Sequence, residues 1–137
     1  SPIQIGSSLK EALISAFNNW QKSNSALLTS MMNIDVELTE IQQQIVFRSI
    51  MEALQNISKH SNANKVNIKL SYDKEQIMWQ IADNGTVQLS ENNDKTNKVQ
   101  FGQGLSLMQK RIESLNGKLS VNVNNGFKLN LELPIDQ

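Results

Sequence analysis

The stretch from residue 47 to residue 60, FRSIMEALQNISKH, constrains the fold of this chain more than any other. Its apolar side chains recur at helical spacing and predict one buried face: Phe47, Ile50, Leu54 and Ile57. Its polar side chains are predicted on the opposite side: Ser49, Glu52, Asn56 and Lys59. That polar stripe has two interpretations. It is either an ordinary solvated face, or a site whose carboxylate and amide oxygens suit Mg²⁺ and whose ammonium suits phosphate.

Composition narrows the classes of function. The chain has 137 residues, with 13 Lys plus Arg and 13 Asp plus Glu, so its charge balance gives no indication of nucleic-acid binding. It has no cysteine and only one histidine, His60, which excludes disulfides and sites built from cysteine or several histidines. No apolar run approaches the roughly 18 residues that span a bilayer. We expect a single domain over residues 1–137, and the start at Ser1 is typical of a fragment boundary.

Local patterns predict the order of elements. Capping-box patterns at Ser8 and Thr39 open two helices, and one strand is expected between them within residues 26–36. Alternating segments predict two strands after His60, and a polar stretch over residues 86–101 predicts a loop. A third helix and a final hairpin follow. Helices on one face of a mostly antiparallel sheet fit this order.

Two further features bear on the polar stripe. Asp83 is in phase with the apolar residues of its strand and precedes Asn84-Gly85, so it is either a pocket residue or the start of a turn. Gly102-x-Gly104 opens the third helix, where free N–H groups and the helix dipole favour an anion such as phosphate. A loop hinge would explain these two glycines equally well.

Taken together, the three features resemble the ATP-binding domain of two-component sensor histidine kinases, within the wider gyrase- and heat-shock-chaperone-type ATPase superfamily. Residues 52–63, EALQNISKHSNA, are similar to the N box of that family, and residues 83–85 to its first glycine box. Residues 102–111, GQGLSLMQKR, with residues 115–117, resemble its second glycine box and helix, most closely in the nitrate-sensor and cell-envelope-sensor subgroup. The resemblance covers residues 38–134.

The resemblance implies a fold and a set of roles. The fold is the Bergerat fold, a two-layer α/β (α+β) sandwich with a mixed, mostly antiparallel sheet, helices on one face and a lid loop at about residues 86–101. Asn56 would coordinate Mg²⁺, with Glu52 beside it as a polarising carboxylate or acting through a water. The remaining residues of the implied ATP site are Lys59 and His60 towards phosphate, Asp83 and Gly85 at adenine, and Gly102, Gly104 and Leu105 at the start of the third helix.

The sequence departs from the family pattern at two places. Thr86-Val87 replaces the usual second glycine of the first glycine box, which implies a stiffer lid hinge. Phe127 follows Gly126, where the family usually has threonine near the adenine carboxylate, so its ring would either crowd the adenine or lean into the core. Both changes bear on ATP affinity rather than on the fold.

The implied activity is transfer of the γ-phosphoryl group of ATP to a histidine on a separate dimerisation domain, for onward transfer to a response regulator. His60 lies within the N box and is not that acceptor. We therefore expect a monomeric cytoplasmic fragment of a homodimeric kinase of the bacterial membrane. Two alternatives remain at this point: an anti-sigma-factor serine kinase, and a nucleotide-free pseudokinase that acts as an interaction module.

Overall fold

The computed structural model describes residues 8–86 and 102–135, so the predicted lid loop lies almost entirely outside the described residues. The elements follow the predicted order. The helices are α1 (Leu9–Lys22), α2 (Glu40–His60) and α3 (Gly102–Ser114). The strands are β1 (Leu27–Met32), β2 (Lys65–Tyr72), β3 (Gln76–Asp83), β4 (Lys118–Asn122) and β5 (Phe127–Pro134). No helix in this part of the chain is long and apolar enough to cross a membrane.

The five strands form one mixed sheet in the order β1-β2-β3-β5-β4. Only β1 and β2 pair in parallel, from Leu27 opposite Lys65 to Met32 opposite Leu70, and the other pairs are antiparallel. The mixed, mostly antiparallel sheet is confirmed. β1 lies within residues 26–36, where one strand is expected, but it ends at Met32 and leaves residues 33–36 outside the sheet.

One face of the sheet carries the core. Registered rows of apolar side chains cross β2, β3 and β5, for example Ile68 opposite Ile81 and Ile81 opposite Leu129. The helices cover this face, and α2 buries Ile50 and Leu54 against it, each about 1% exposed or less. A two-layer sandwich follows, because a sheet with a single apolar face needs only one layer of helices to cover it.

The interpretation of Ser49 as part of the solvated stripe is wrong. Ser49 is fully buried, and its Oγ accepts the indole N–H of Trp79 at 2.8 Å while donating to the carbonyl of Val46 at 2.9 Å. Trp79 is the largest fully buried side chain of β3, and its N–H needs an acceptor inside the core. The serine hydroxyl supplies that acceptor, so this position of α2 belongs to the sheet-facing side.

The predicted caps and turns are present. The Thr39 side chain accepts the N–H of Gln42, and the Gln42 side chain accepts the N–H of Thr39, which is the reciprocal capping box. At the other end of the chain, Asn125 and Gly126 have positive φ angles of 55° and 115° and form the turn before β5. This turn returns the chain alongside β3, whose last residue borders the site described next.

Candidate functional site

A cavity of about 250 Å³ lies between α2, the start of α3 and the helix-covered face of the sheet. Its lining residues from the helices are Ala53, Asn56, Ile57, His60 and Leu105. Those from the strands and loops are Ser61, Ile81, Asp83, Gly85, Thr86, Phe127 and Leu129. The aliphatic and aromatic walls can enclose a flat heterocycle, and the few polar groups between them can orient it.

Asp83 supplies a carboxylate to this cavity, in agreement with the first of its two interpretations, a pocket residue or the start of a turn. Its Oδ1 accepts the backbone N–H of Gly85 at 2.8 Å and the Ser61 hydroxyl at 3.3 Å. Within residues 8–86 and 102–135, its Oδ2 accepts no hydrogen bond. The carboxylate therefore offers one oxygen to a donor that enters the cavity.

Burial raises the pKa of the Asp83 carboxyl above its ordinary value of 3.8, while the hydrogen bonds from Gly85 and Ser61 oppose that rise. The direction follows from the partly apolar surroundings, because removal from water disfavours the ionised form. A perturbed carboxyl in a cleft is a candidate for ligand recognition.

The loop after α2 is clipped to the segment that follows β3. Asn62 and Thr86 form two hydrogen bonds of 2.9 Å, from Asn62 Nδ2 to the threonine hydroxyl and from the Thr86 N–H to Asn62 Oδ1. Asn84 Oδ1 accepts the N–H groups of Asn64 and Lys65, each at 3.0 Å. Thr86 stands at one of the two departures from the family pattern, and these bonds hold it against the opposite loop.

Glu52 and Gly104 meet at the N-terminal end of α3. Gly104 lies so close to the Glu52 carboxylate that a side chain on residue 104 would occupy the carboxylate's place. The negative group of α2 thus lies in the positive field of the α3 terminus. The two helices place an acidic side chain and an anion-attracting helix end beside each other, next to the cavity wall formed by Leu105.

The structure brings only part of the predicted site to the cavity itself. The predicted residues that line it are Asn56, His60, Asp83, Gly85 and Leu105. Three predicted residues, Glu52, Lys59 and Gly104, do not line it. Gly102 is the first residue of α3, and the Lys59 side chain is exposed on α2. The roles of these residues stay predictions.

Phe127 lies opposite Asp83 in the β3–β5 register, lines the cavity and packs against the core. Whether its ring crowds a bound adenine stays a prediction. The sequence patterns indicated no role for Ser61 and Asn62, which follow the end of α2. The available signal was their content of hydroxyl and amide side chains, which bond to nearby backbone and side-chain groups as readily as they end helices.

The donor set is compatible with a hard cation that arrives with phosphate. Glu52 and Asn56 supply oxygens one turn apart on α2. No group of three or more histidine, cysteine, aspartate or glutamate side chains in the described ranges could hold a metal by itself. Mg²⁺ suits such a place, because it commonly takes one or two protein oxygens and completes its shell with phosphate and water.

Comparisons with known proteins agree with the fold and the motifs. Residues 41–137 match the family of histidine kinase-, DNA gyrase B- and HSP90-like ATPases. The chain is 31% identical over 100 residues to the signal transduction histidine-protein kinase/phosphatase UhpB of Salmonella typhimurium, and 29% identical over 94 residues to the sensor histidine kinase DesK of Bacillus subtilis. These alignments cover 73% and 69% of this chain, but only 19% of UhpB and 24% of DesK.

Solved structures share the fold at low sequence identity. The histidine kinase domain of a blue-light activated histidine kinase from Erythrobacter litoralis superposes with a TM-score of 0.74 at 19% identity, covering 94% of this chain and 60% of that one. The histidine kinase AdeS of Acinetobacter baumannii gives a TM-score of 0.68 at 14% identity, with coverage of 94% and 64%. The expected two-layer fold is therefore confirmed.

Proposed function

Because this chain belongs to the family of histidine kinase-, DNA gyrase B- and HSP90-like ATPases, we propose that it is the ATP-binding catalytic domain of a sensor histidine kinase. In this proposal it directs the γ-phosphoryl group of ATP to a histidine on a dimerisation domain outside this chain, for onward transfer to a response regulator. The single observation that carries the proposal is the cavity that holds Asp83 with one carboxylate oxygen open to a ligand.

The cavity is the base end of the proposed ATP site. Asp83 Oδ2 accepts a hydrogen bond from the exocyclic amine of adenine, and Gly85 leaves room beside the base. The side chains that enclose the ring are Ile57, Leu129 and Phe127. Gly85 is supported in this role by its surroundings, because a Cβ on this residue would stand 2.5 Å from the Ser61 hydroxyl oxygen. A side chain there would displace the groups that hold the carboxylate.

The phosphate end lies where α2 approaches the start of α3. We assign Asn56 as the protein ligand of Mg²⁺ and Glu52 as the carboxylate beside it. Gly102 and Gly104 supply the backbone that faces the phosphates, and Lys59 and His60 lie towards the phosphates. Bound Mg²⁺ would neutralise charge on the phosphates during transfer. The protein contributes position and orientation, which supply most of the catalysis in phosphoryl transfer.

The chain spans about a fifth of the length of its sequence relatives, 19% of UhpB and 24% of DesK. The phosphoacceptor histidine, the dimer and the response regulator are therefore assigned to the parent kinase. We propose a cytoplasmic position for residues 1–137 as one ATPase domain, with residues 86–101 as its lid and the parent kinase at the bacterial membrane.

Titration calorimetry with ATP or ADP and Mg²⁺ tests the first step. We expect saturable binding that weakens when Mg²⁺ is chelated, because the phosphates then lose their cation. Absence of heat and of any thermal shift at millimolar nucleotide would reject the ATP site and favour an interaction module that binds no nucleotide.

Incubation with radiolabelled ATP tests the second step. The isolated chain should not label itself appreciably, because His60 lies on the helix that carries Glu52 and Asn56 and cannot approach the γ-phosphate in line. Adding the dimerisation segment of the parent kinase should produce acid-labile label on that segment, weakly because the tether is lost. Acid-labile self-labelling that disappears in His60→Ala would contradict the assignment of the acceptor.

A further inference from the structure

Ser61, the residue after α2, holds the Asp83 carboxylate through a hydroxyl whose direction the backbone imposes. Its Oγ accepts the N–H of Ala63 at 3.0 Å. A serine hydroxyl has a single proton to donate, and the acceptor within reach of it is Asp83 Oδ1, at 3.3 Å. The proton of Ser61 is therefore directed at the carboxylate and not away from it.

The same carboxylate oxygen has a second donor, the N–H of Gly85 at 2.8 Å. Gly85 is buried, and the space where its side chain would stand is taken by the Ser61 hydroxyl. Two donors thus occupy Oδ1 of Asp83. In the part of the chain that the structure describes, Oδ2 is left to the cavity.

We propose that Ser61 is a positioning residue for base selection, which keeps Asp83 oriented as a pure hydrogen-bond acceptor towards the cavity. Such a group selects a base whose edge presents an N–H donor, such as the amino group of adenine, over one that presents a carbonyl at the same place, such as hypoxanthine. This inference rests on the proposed nucleotide site and adds a residue that acts through Asp83.

Loss of the Ser61 hydroxyl has a different effect on the two kinds of base. Without this donor the carboxylate is less firmly held, and its ionised form is less favoured against the neutral acid. Its contact with an amino group weakens. A neutral carboxyl group, in contrast, can donate a hydrogen bond to a carbonyl, so the affinity for a 6-oxo base stays the same or rises.

Titration calorimetry with Mg-ADP and Mg-IDP, whose bases are adenine and hypoxanthine, measures this difference. In Ser61→Ala we expect the affinity for ADP to fall about three- to tenfold, while the affinity for IDP stays the same or rises. The ratio of ADP affinity to IDP affinity should therefore fall at least as much. Ser61→Thr keeps the hydroxyl and should restore the ratio. Ser58→Ala is the matched control, because the Ser58 hydroxyl bonds to Asn24 on the exposed side of the same helix.

An equal loss for both nucleotides, with an unchanged ratio, would show that Ser61 only supports the fold and would overturn the inference. A ratio near one in the unmodified chain would also overturn it while leaving nucleotide binding intact. Binding of neither nucleotide would reject the proposed site and this inference together. If Ser61→Ala does not fold, Ser61→Cys replaces it, because cysteine has a similar volume and a weaker donor. The ratio of ADP affinity to IDP affinity should fall in this variant, and an unchanged ratio would overturn the inference.

Discussion

Asp83, the proposed acceptor for adenine, lowers the stability of the folded chain at neutral pH. Because burial raises the pKa of its carboxyl above 3.8, the folded chain holds the proton more tightly than the unfolded chain. Its contribution to stability is therefore fully present below pH 3.8 and is lost as the pH rises through the raised pKa. The ionised carboxylate is partly desolvated, and this form is the acceptor that the proposed adenine site uses.

We therefore expect Asp83→Asn to separate binding from folding. The asparagine oxygen can still accept from Gly85 and Ser61, but its amide presents a donor to the adenine amine, so nucleotide binding should weaken by about 1–3 kcal/mol. Thermal unfolding at neutral pH should show equal or higher stability than the unmodified chain, with the difference shrinking towards pH 3.8. Unchanged nucleotide affinity would make Asp83 a turn residue only.

The pair formed by Ser49 and Trp79 predicts a purely structural effect. Ser49→Ala would leave the buried indole N–H without its acceptor, and such an unsatisfied group costs about 1–3 kcal/mol of unfolding free energy. Ser58→Ala, on the exposed side of α2, should change it by about 0.5 kcal/mol or less. Chemical denaturation of both variants measures the difference, and equal small effects would show that Trp79 finds another partner.

At the scale of elements, two glycines perform different tasks. Gly126 has a φ of 115° in the turn before β5 and lies against the backbone carbonyl of Asp83, which cannot move aside. Gly104 lies within α3 against the far end of the Glu52 side chain, and this flexible end can move aside. Substitution by alanine should therefore damage the fold at residue 126 and the proposed site at residue 104.

We expect Gly126→Ala to lower the free energy of unfolding by about 1–3 kcal/mol, because alanine is strained at that φ angle. Gly104→Ala should change it by about 1 kcal/mol at most, since alanine favours a helix while Glu52 must be displaced. It should nevertheless weaken Mg-ATP binding in calorimetry, because the displaced carboxylate no longer lies beside the α3 terminus. The reverse ranking of stabilities would contradict the roles given to the two glycines.

At the scale of the whole molecule, the cavity joins α2, α3, β3 and β5, so a ligand there stabilises the packing of the two layers. A nucleotide at a hundred times its dissociation constant should raise the free energy of unfolding by about 2.7 kcal/mol. Thermal unfolding with and without Mg-ADP measures the gain. Asp83→Asn at the same nucleotide concentration should gain less, and an equal gain would place the nucleotide elsewhere.

Residue periods of 3.6 and 2 are local, so they predicted the helices, the sequence of helices and strands along the chain and the phase of Asp83 with the apolar face of β3. Turn chemistry was local as well, and it located the Thr39 cap and the turn at Asn125-Gly126. With the motifs of the resembling family, these patterns also indicated the five predicted residues that line the cavity.

What the sequence could not determine depends on partners that are distant along the chain. Ser49 is polar, and its burial became clear only when the packing of α2 on β3 brought Trp79 to it, 30 residues away. Ser61 bonds to Asp83 across 22 residues, and Glu52 meets Gly104 where α2 approaches α3. Periodicity shows which face of an element is buried, but the position of one element along another is set by side-chain packing and strand register. Only the tertiary structure decides that position, and with it which polar groups form the site.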